Sequence, residues 1–268
     1  SDGAPAAGEE ERGGWQTSNF GFVRMIDSFY FREHLFIVTE LLKQNLYEFQ
    51  QRSKSGSVSY FTLPRIRRIA CQLLASIREL HAIGVLHTDL KPENILFSSY
   101  GGTTVKIIDL GSARFAHEEP CGYLQSRCYR APEVVLGFGY GPKIDVWSIG
   151  CILAELYLGE VLLPCDSAAA LLAQIVAYFG PFPNHFIRRC KSAGKFVTSS
   201  GLLYQADRGS FEVLVPRRVA FRSVLFRKEE DEDEAFLDFL LTLLAPFPEW
   251  RATAEEALAH PWLSQADG

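Results

Sequence analysis

The chain lacks most of the features that would place it at a membrane, on nucleic acid or outside the cell. No apolar run is long enough to span a bilayer, and Ser1 to Gly14 carry neither the basic block nor the apolar block of a signal peptide. Basic residues are not in excess: 27 Lys and Arg face 32 Asp and Glu, a net charge of -5, so a globally basic surface for nucleic acid is not supported. The six cysteines, Cys71, Cys121, Cys128, Cys151, Cys165 and Cys190, include no C-x-x-C pair, and no histidine stands at metal-ligand spacing. That favours free thiols in a reducing, intracellular compartment, cytoplasm and/or nucleus, over a zinc or disulfide framework. There is one methionine, Met25, the first residue is Ser1, no G-x-G-x-x-G pattern occurs, and no lysine precedes Lys43.

What is present is a large core. Forty-seven per cent of the 268 residues are hydrophobic, enough for one large domain or two lobes of one. Residues 1–19, rich in Gly, Ala and Glu, read as a flexible leader. Phe20 to Tyr30 and Leu35 to Glu40, aromatic and β-branched, are separated by Arg32, Glu33 and His34 and predict two antiparallel strands. Thr62 is placed to cap a helix with Pro64 in its first turn. Ile66, Ile69, Ala70, Leu73, Leu74, Ile77 and Leu80 form its apolar stripe, with Arg67, Arg68, Arg78 and Glu79 off it. Ile95 to Phe97 and Val105 to Ile108 predict two small strands joined by Ser98 to Gly102. Asp145 to Leu158 is apolar on almost every side and predicts a helix buried mid-protein. Ser167 to Phe179 predicts another, ended by Gly180 and Pro181, and Thr253 to Glu256 is a capping box for the last, which stops before Pro261. Residues 183–234 have weak periodicity, and Glu229 to Glu234 read as a solvated acidic loop.

The chemistry concentrates between 87 and 133. His87-Thr88-Asp89-Leu90-Lys91-Pro92-Glu93-Asn94 sets a carboxylate, an amine and a carboxamide two and then three residues apart, just ahead of a strand. Phosphoryl transfer uses that trio: the carboxylate takes the proton of the attacking hydroxyl, the amine neutralises charge on the moving group, and the amide oxygen holds magnesium. Fifteen residues after Asn94, at the end of the second small strand, stands Asp109-Leu110-Gly111, which a hairpin of that length returns beside Asn94 as a second hard oxygen ligand. Ala131-Pro132-Glu133 follows, after Tyr123-Leu124-Gln125-Ser126-Arg127-Cys128-Tyr129-Arg130. His34, His81 and His260 are expected to pack or cap rather than bind metal, and Arg188, Arg189, Lys191 and Lys195 to form a solvated face.

This ordered set resembles the eukaryotic protein kinases, over nearly everything from Phe20 to Leu263. The resemblance implies an α+β, protein-kinase-like fold, mainly the helical large lobe with two to three strands of the small one. Its implied boundaries are 20–42 for a small-lobe remnant and hinge, 43–263 for the large lobe with an insert near 183–234, and 264–268 for a tail. It implies ATP with Mg2+, catalysis by Asp89, Lys91 and Asn94, and metal on Asn94 and Asp109. A hinge at Glu40, Leu41 and Leu42 would hold adenine, with Thr39 as gatekeeper and Asn45, Leu96, Ile108 and Asp109 also toward the nucleotide. Structural roles fall to His87, Asp145 and the pair Glu133 and Arg251.

Thr88, where most kinases carry Arg, together with Asn45-Leu46-Tyr47-Glu48 and the Tyr123 to Glu133 segment, is similar to the dual-specificity tyrosine-regulated kinases (DYRK). Arg32 to Leu42, Asp109 to Gly111 and Leu214 to Arg218 match their plant-type branch best, and the Cdc2-like kinases are the runner-up. Phosphate on Tyr123 would be read by Arg127 and Arg130; the tyrosine usual two residues earlier is Cys121 here. The other reading of Tyr123 is a packed loop aromatic. Substrates would be proteins with Ser or Thr acceptors, favouring a following proline through Arg130, and the kinase a monomer without nucleic-acid or membrane partners. The family's glycine lid, strand lysine and helix glutamate have no counterpart ahead of Phe20, so the chain is expected to be a truncated kinase or, alternatively, a pseudokinase or protein-binding scaffold.

Overall fold

The computed structural model describes residues 21–53, 60–118, 124–207, 210–226 and 233–265. Two strands come first, β1 (Met25–Phe31) and β2 (His34–Thr39), paired antiparallel with Phe31 opposite His34 and Phe29 opposite Phe36. Their two-residue turn is Arg32-Glu33, at φ 47 and 65. A turn that matches strand twist needs positive φ at both central residues, which Asn-Gly supplies freely and Arg-Glu does not. Every residue of both strands is exposed.

β1 starts later than expected, because 21–23 pairs elsewhere. Ile107 donates its N–H to the Gly21 carbonyl at 2.6 Å, and Val23 donates to Ile107 at 2.9 Å. A Cβ on Gly21 would stand 2.2 Å from Ser76 Oγ, so a larger residue there would turn that hydroxyl aside.

α1 (Leu46–Ser53) leads to α2 (Leu63–Ala82), whose stripe from Ile66 to Leu80 is buried as its spacing requires. Two details differ. The Thr62 side chain makes no capping bond, and Arg67 is buried. Its guanidinium lies 5.0 Å over the Trp262 ring and reaches Gln265 Oε1 at 2.9 Å, so a long side chain at the stripe's edge is covered by the chain's end.

β3 (Val85–Leu86) precedes the Asp89 loop, and β4 (Ile95–Phe97) and β5 (Val105–Ile107) form the small hairpin beyond it. β6 (Arg114–Phe115) returns to β3. α3 (Pro132–Leu136) and α4 (Lys143–Leu158) follow, with nearly every α4 residue buried. A Cβ on Gly150 would meet Leu244 at 2.8 Å, so this glycine permits the packing of α4 on the last long helix. α5 (Ala168–Phe179) is capped by Ser167, which accepts from Ala170 N–H at 3.1 Å.

The weakly periodic stretch holds α6 (Asn184–Ile187), a ribbon of β7 (Leu203–Asp207) and β8 (Ser210–Leu214), and α7 (Phe221–Leu225). α8 (Glu234–Leu243) corrects the acidic-loop reading at its end. Asp233 caps it by accepting from Phe236 N–H at 2.9 Å, and Glu234 sits in its first turn, where negative charge meets free amides. The rest of that acidic run, residues 229–232, lies outside the described residues. α9 (Ala254–Leu258) carries the full Thr253–Glu256 capping box. Among the described residues, no helix is long and apolar enough to cross a membrane. This mixture of short antiparallel sheets and packed helices is an α+β fold.

Candidate active site

A buried carboxylate places the site. Asp145, in the first turn of α4, is fully buried and accepts from three groups. Oδ2 takes the His87 N–H at 2.8 Å and pairs with His81 Nε2 at 2.9 Å; Oδ1 takes the Thr88 N–H at 2.9 Å. His81, at the end of α2, is thereby a packing residue with a defined partner. His87 Nε2 contacts the Ile108 carbonyl at 3.1 Å, while Thr88, at φ 66, donates its hydroxyl to the Ser112 carbonyl at 2.7 Å. Both bonds tie the Asp89 loop to the Asp109 segment.

Asp89 is partly exposed and surrounded by donors. Lys91 Nζ lies 2.8 Å from Oδ2; Ser126 gives Oδ1 its N–H at 3.1 Å and its hydroxyl at 2.8 Å. Lys91 Nζ also reaches Ser126 Oγ at 3.3 Å, so one hydroxyl touches both the carboxylate and the ammonium. Asn94 donates Nδ2 to the Asp89 carbonyl at 2.9 Å, and Ile108 N–H bonds the Asn94 carbonyl at 2.9 Å. Ile95 faces Ile107 across the hairpin, so Asp109 is delivered to the same end of the sheet as Asn94. Asp109 is exposed, left-handed at φ 65, and uses Oδ1 to accept from Gly111 N–H at 3.1 Å. Donation through Nδ2 leaves the Asn94 amide oxygen as an acceptor, and Asp109 keeps Oδ2. Two hard oxygens at one sheet end fit a magnesium ion carried by phosphates.

The residues expected to form the hinge adjoin this hairpin through 43–45. Lys43 N–H bonds the Phe97 carbonyl at 2.8 Å and Asn45 bridges Leu96, which seats 43–45, the residues directly after 40–42, along β4. Glu40 accepts from Lys106 Nζ and, at 2.7 Å, from Arg24 N–H; these bonds hold its carboxyl below the usual carboxylate range, Lys106 most of all. Thr39 and Leu41 are exposed, Leu42, Leu96 and Ile108 partly so. Asn45 Oδ1 accepts from Glu48 N–H at 2.7 Å and caps α1.

Tyr123 and Cys121 lie outside the described residues. Both arginines expected to read a phosphate are engaged with backbone: Arg127 donates to the Asp166 carbonyl, and buried Arg130 donates to the Leu124 carbonyl at 2.7 Å and the Gln125 carbonyl at 2.7 Å. They nevertheless line, with Thr88, Asp89, Ser112 and Ser126, an open cavity of about 340 Å³. Below it, Glu133 and Arg251 form two bonds at 2.6 and 2.9 Å, both side chains buried, with the guanidinium 4.9 Å over Trp147. The sequence reading missed Ser126 and Gln125. Gln125, at φ 63, bonds Ser148 Oγ and the Ala131 N–H and fixes the turn that delivers Ser126. A polar Gln-Ser step inside an otherwise buried segment is the signal that could have found them.

Residues 16–263 match the protein kinase domain, and the chain belongs to that family. Among its relatives, it is 37% identical over 249 residues to dual specificity tyrosine-phosphorylation-regulated kinase 4 of Homo sapiens, covering 93% of this chain and 46% of that protein. It is also 40% identical over 244 residues to the DYRK-family kinase pom1 of Schizosaccharomyces pombe, covering 90% of this chain and 22% of that one. The serine/threonine-protein kinase ppk5 of the same yeast is 39% identical over 243 residues, covering 90% and 28%. The chain thus spans less than half the length of these curated relatives.

Proposed function

We propose that the protein transfers the γ-phosphoryl group of ATP to Ser or Thr hydroxyls of protein substrates and modifies tyrosine only in its own loop, at Tyr123. The observation that carries this reading is the triangle of Asp89, Lys91 and Ser126, in which a hydroxyl rests 2.8 Å from the carboxylate and 3.3 Å from the ammonium. An acceptor hydroxyl displacing Ser126 would find a base for its proton and a cation for the arriving charge. Asn94 and Asp109 would hold the magnesium, which neutralises phosphate charge when bound. Glu40 to Leu42, with Leu96 and Ile108, would seat the adenine. Within the DYRK relatives we assign the chain to the plant-type branch, on Arg32 to Leu42, Asp109 to Gly111 and Leu214 to Arg218. Proline after the acceptor is the expected preference, and a monomer the expected state.

The nucleotide lid and its lysine are not among these 268 residues, and we assign them to sequence outside the chain. The bare β1–β2 hairpin supports this, since its aromatic faces suit cover by further strands. The second reading, a pseudokinase scaffold, is favoured by the same missing lysine. Reading the transcript in frame ahead of Ser1 separates the two: absence of any glycine loop or strand lysine sinks the active reading. With the intact protein, Asp89→Asn is expected to lower kcat by about 10²–10⁴ with nucleotide affinity retained; undiminished turnover removes Asp89 as the base.

A further inference from the structure

The chain carries a net charge of -5, but its charges are unevenly spread. From Ser167 to Ala206 there is no Asp or Glu, while Arg188, Arg189, Lys191 and Lys195 all fall there. Arg217 and Arg218 follow just beyond β8, and all six side chains are exposed. Arg189 is engaged, 4.7 Å over the Phe138 ring and 3.4 Å from Glu249. Arg188 and Arg217 have no carboxylate partner among the described residues.

A cavity of about 330 Å³ opens among these cations. Arg188 lines it, as does Pro216, directly before Arg217. Arg218 donates to the carbonyl of Val176 in its wall at 3.4 Å, and a Cβ on Gly180 would stand 2.9 Å from that guanidinium. The rest of the wall is largely aliphatic: Ile187, Val197, Leu203 and Leu214, with Leu202 51% and Val215 85% exposed. The carboxylates of the β7–β8 ribbon, Asp207 and Glu212, do not line it. The cavity shares no residue with the one at Asp89. An apolar recess of ligand size beside uncompensated cations selects for an occupant that is apolar at its centre and negative at its flanks.

We propose that this recess docks a partner protein through a short acidic segment, whose bulky apolar side chain enters the cavity while flanking Asp or Glu residues pair with Arg188 and Arg217. Exposed Leu202 and Val215 then become the covered edge of the contact. Nucleic acid would meet the same charge, but these aliphatic walls offer its bases no stacking platform, so a peptide is the better fit. The site does not depend on phosphotransfer and stands or falls without it.

The test pans the intact protein with a display library of random peptides about 12 residues long, counter-selecting on a variant that carries Arg188→Glu and Arg217→Glu. Peptides with Asp and Glu clustered around Leu, Ile or Phe are expected to be enriched. The most enriched one, synthesised with a fluorophore, is then titrated by anisotropy. The double charge reversal is expected to raise its Kd at least about tenfold, and Val215→Asp by a similar factor. Tyr30→Asp, on the hairpin, should leave it unchanged. Raising NaCl from about 50 to about 300 mM should weaken binding several-fold. All the substituted side chains are exposed, so each variant should melt with the parent; if the charge reversal melts early, Arg188→Gln with Arg217→Gln takes its place. Enrichment of sequences without acidic residues, or a Kd indifferent to both the arginine and the Val215 changes, overturns the proposal. It is also overturned if a random single-stranded oligonucleotide binds more tightly than the peptide and loses affinity on the same reversal, which makes the face one for nucleic acid. A dimer in sedimentation equilibrium that the reversal dissolves and the peptide cannot enter overturns it in favour of a second copy of this chain.

Discussion

The β1–β2 hairpin and the body around α4 are built from equally apolar sequence and end in opposite states. On the hairpin Ile26, Phe29, Tyr30, Phe31, Leu35 and Ile37 are exposed on both faces, and the turn runs through two non-glycine residues at positive φ. In the body, α4 is buried along almost its whole length, and a charged pair, Glu133 with Arg251, is sealed beneath it. Apolar composition therefore does not settle whether a segment contributes to stability. What decides is whether its faces find partners within the same set of residues.

The sharpest way to break this contrast is in the body. Arg251→Ala leaves the Glu133 carboxylate buried and unpaired, and urea unfolding is expected to show a loss of about 3–5 kcal/mol. Gly150→Ala forces a methyl to within 2.8 Å of Leu244, and a lower midpoint worth about 1–3 kcal/mol is expected in the same assay. At the edge of the body, Thr253→Ala removes half of the α9 capping box, at about 1 kcal/mol. On the hairpin, Phe29→Ser is expected to stay within about 0.5 kcal/mol for this chain, because the ring is 47% exposed and gives up little beyond its stacking on Phe36. A larger loss there would mean that the hairpin is covered in solution and that the contrast is false.

The smallest effect concerns the hairpin's anchor. The folded state holds the Glu40 carboxyl below its ordinary value of 4.5, chiefly through Lys106 and then through Arg24 N–H. Its contribution is therefore present above that value and lost as pH falls through the lower, folded one. Hydrogen exchange in β1 and β2 should quicken over that acid range. Lys106→Met should shrink the pH step, leaving the part that Arg24 supplies.

Much of the body was legible because its signals are periodic or paired in sequence. The α2 stripe, the all-round apolar α4, the Ser167 start of α5 and the Thr253–Glu256 box each need only local spacing to be read. The loop carrying Asp89, Lys91 and Asn94 was legible for a different reason: the order and spacing of unlike groups left few alternatives, and the β4–β5 return then fixed where Asp109 falls. What escaped depended on distant partners. Arg67 looks like a surface residue until Trp262, far along the chain, covers it. α8 hid behind an acidic run whose last members serve as its cap, and Ser126 is a site neighbour only because Gln125 turns the chain there.

Asp145 has a consequence for mechanical precision. Its carboxylate fixes the two residues immediately before Asp89 to the first turn of a helix that the interior grips on nearly all sides. Asp89 is therefore carried by a buried helix rather than by a free surface loop. The alignment of the site is inherited from the foundation and does not have to be made anew when a substrate arrives.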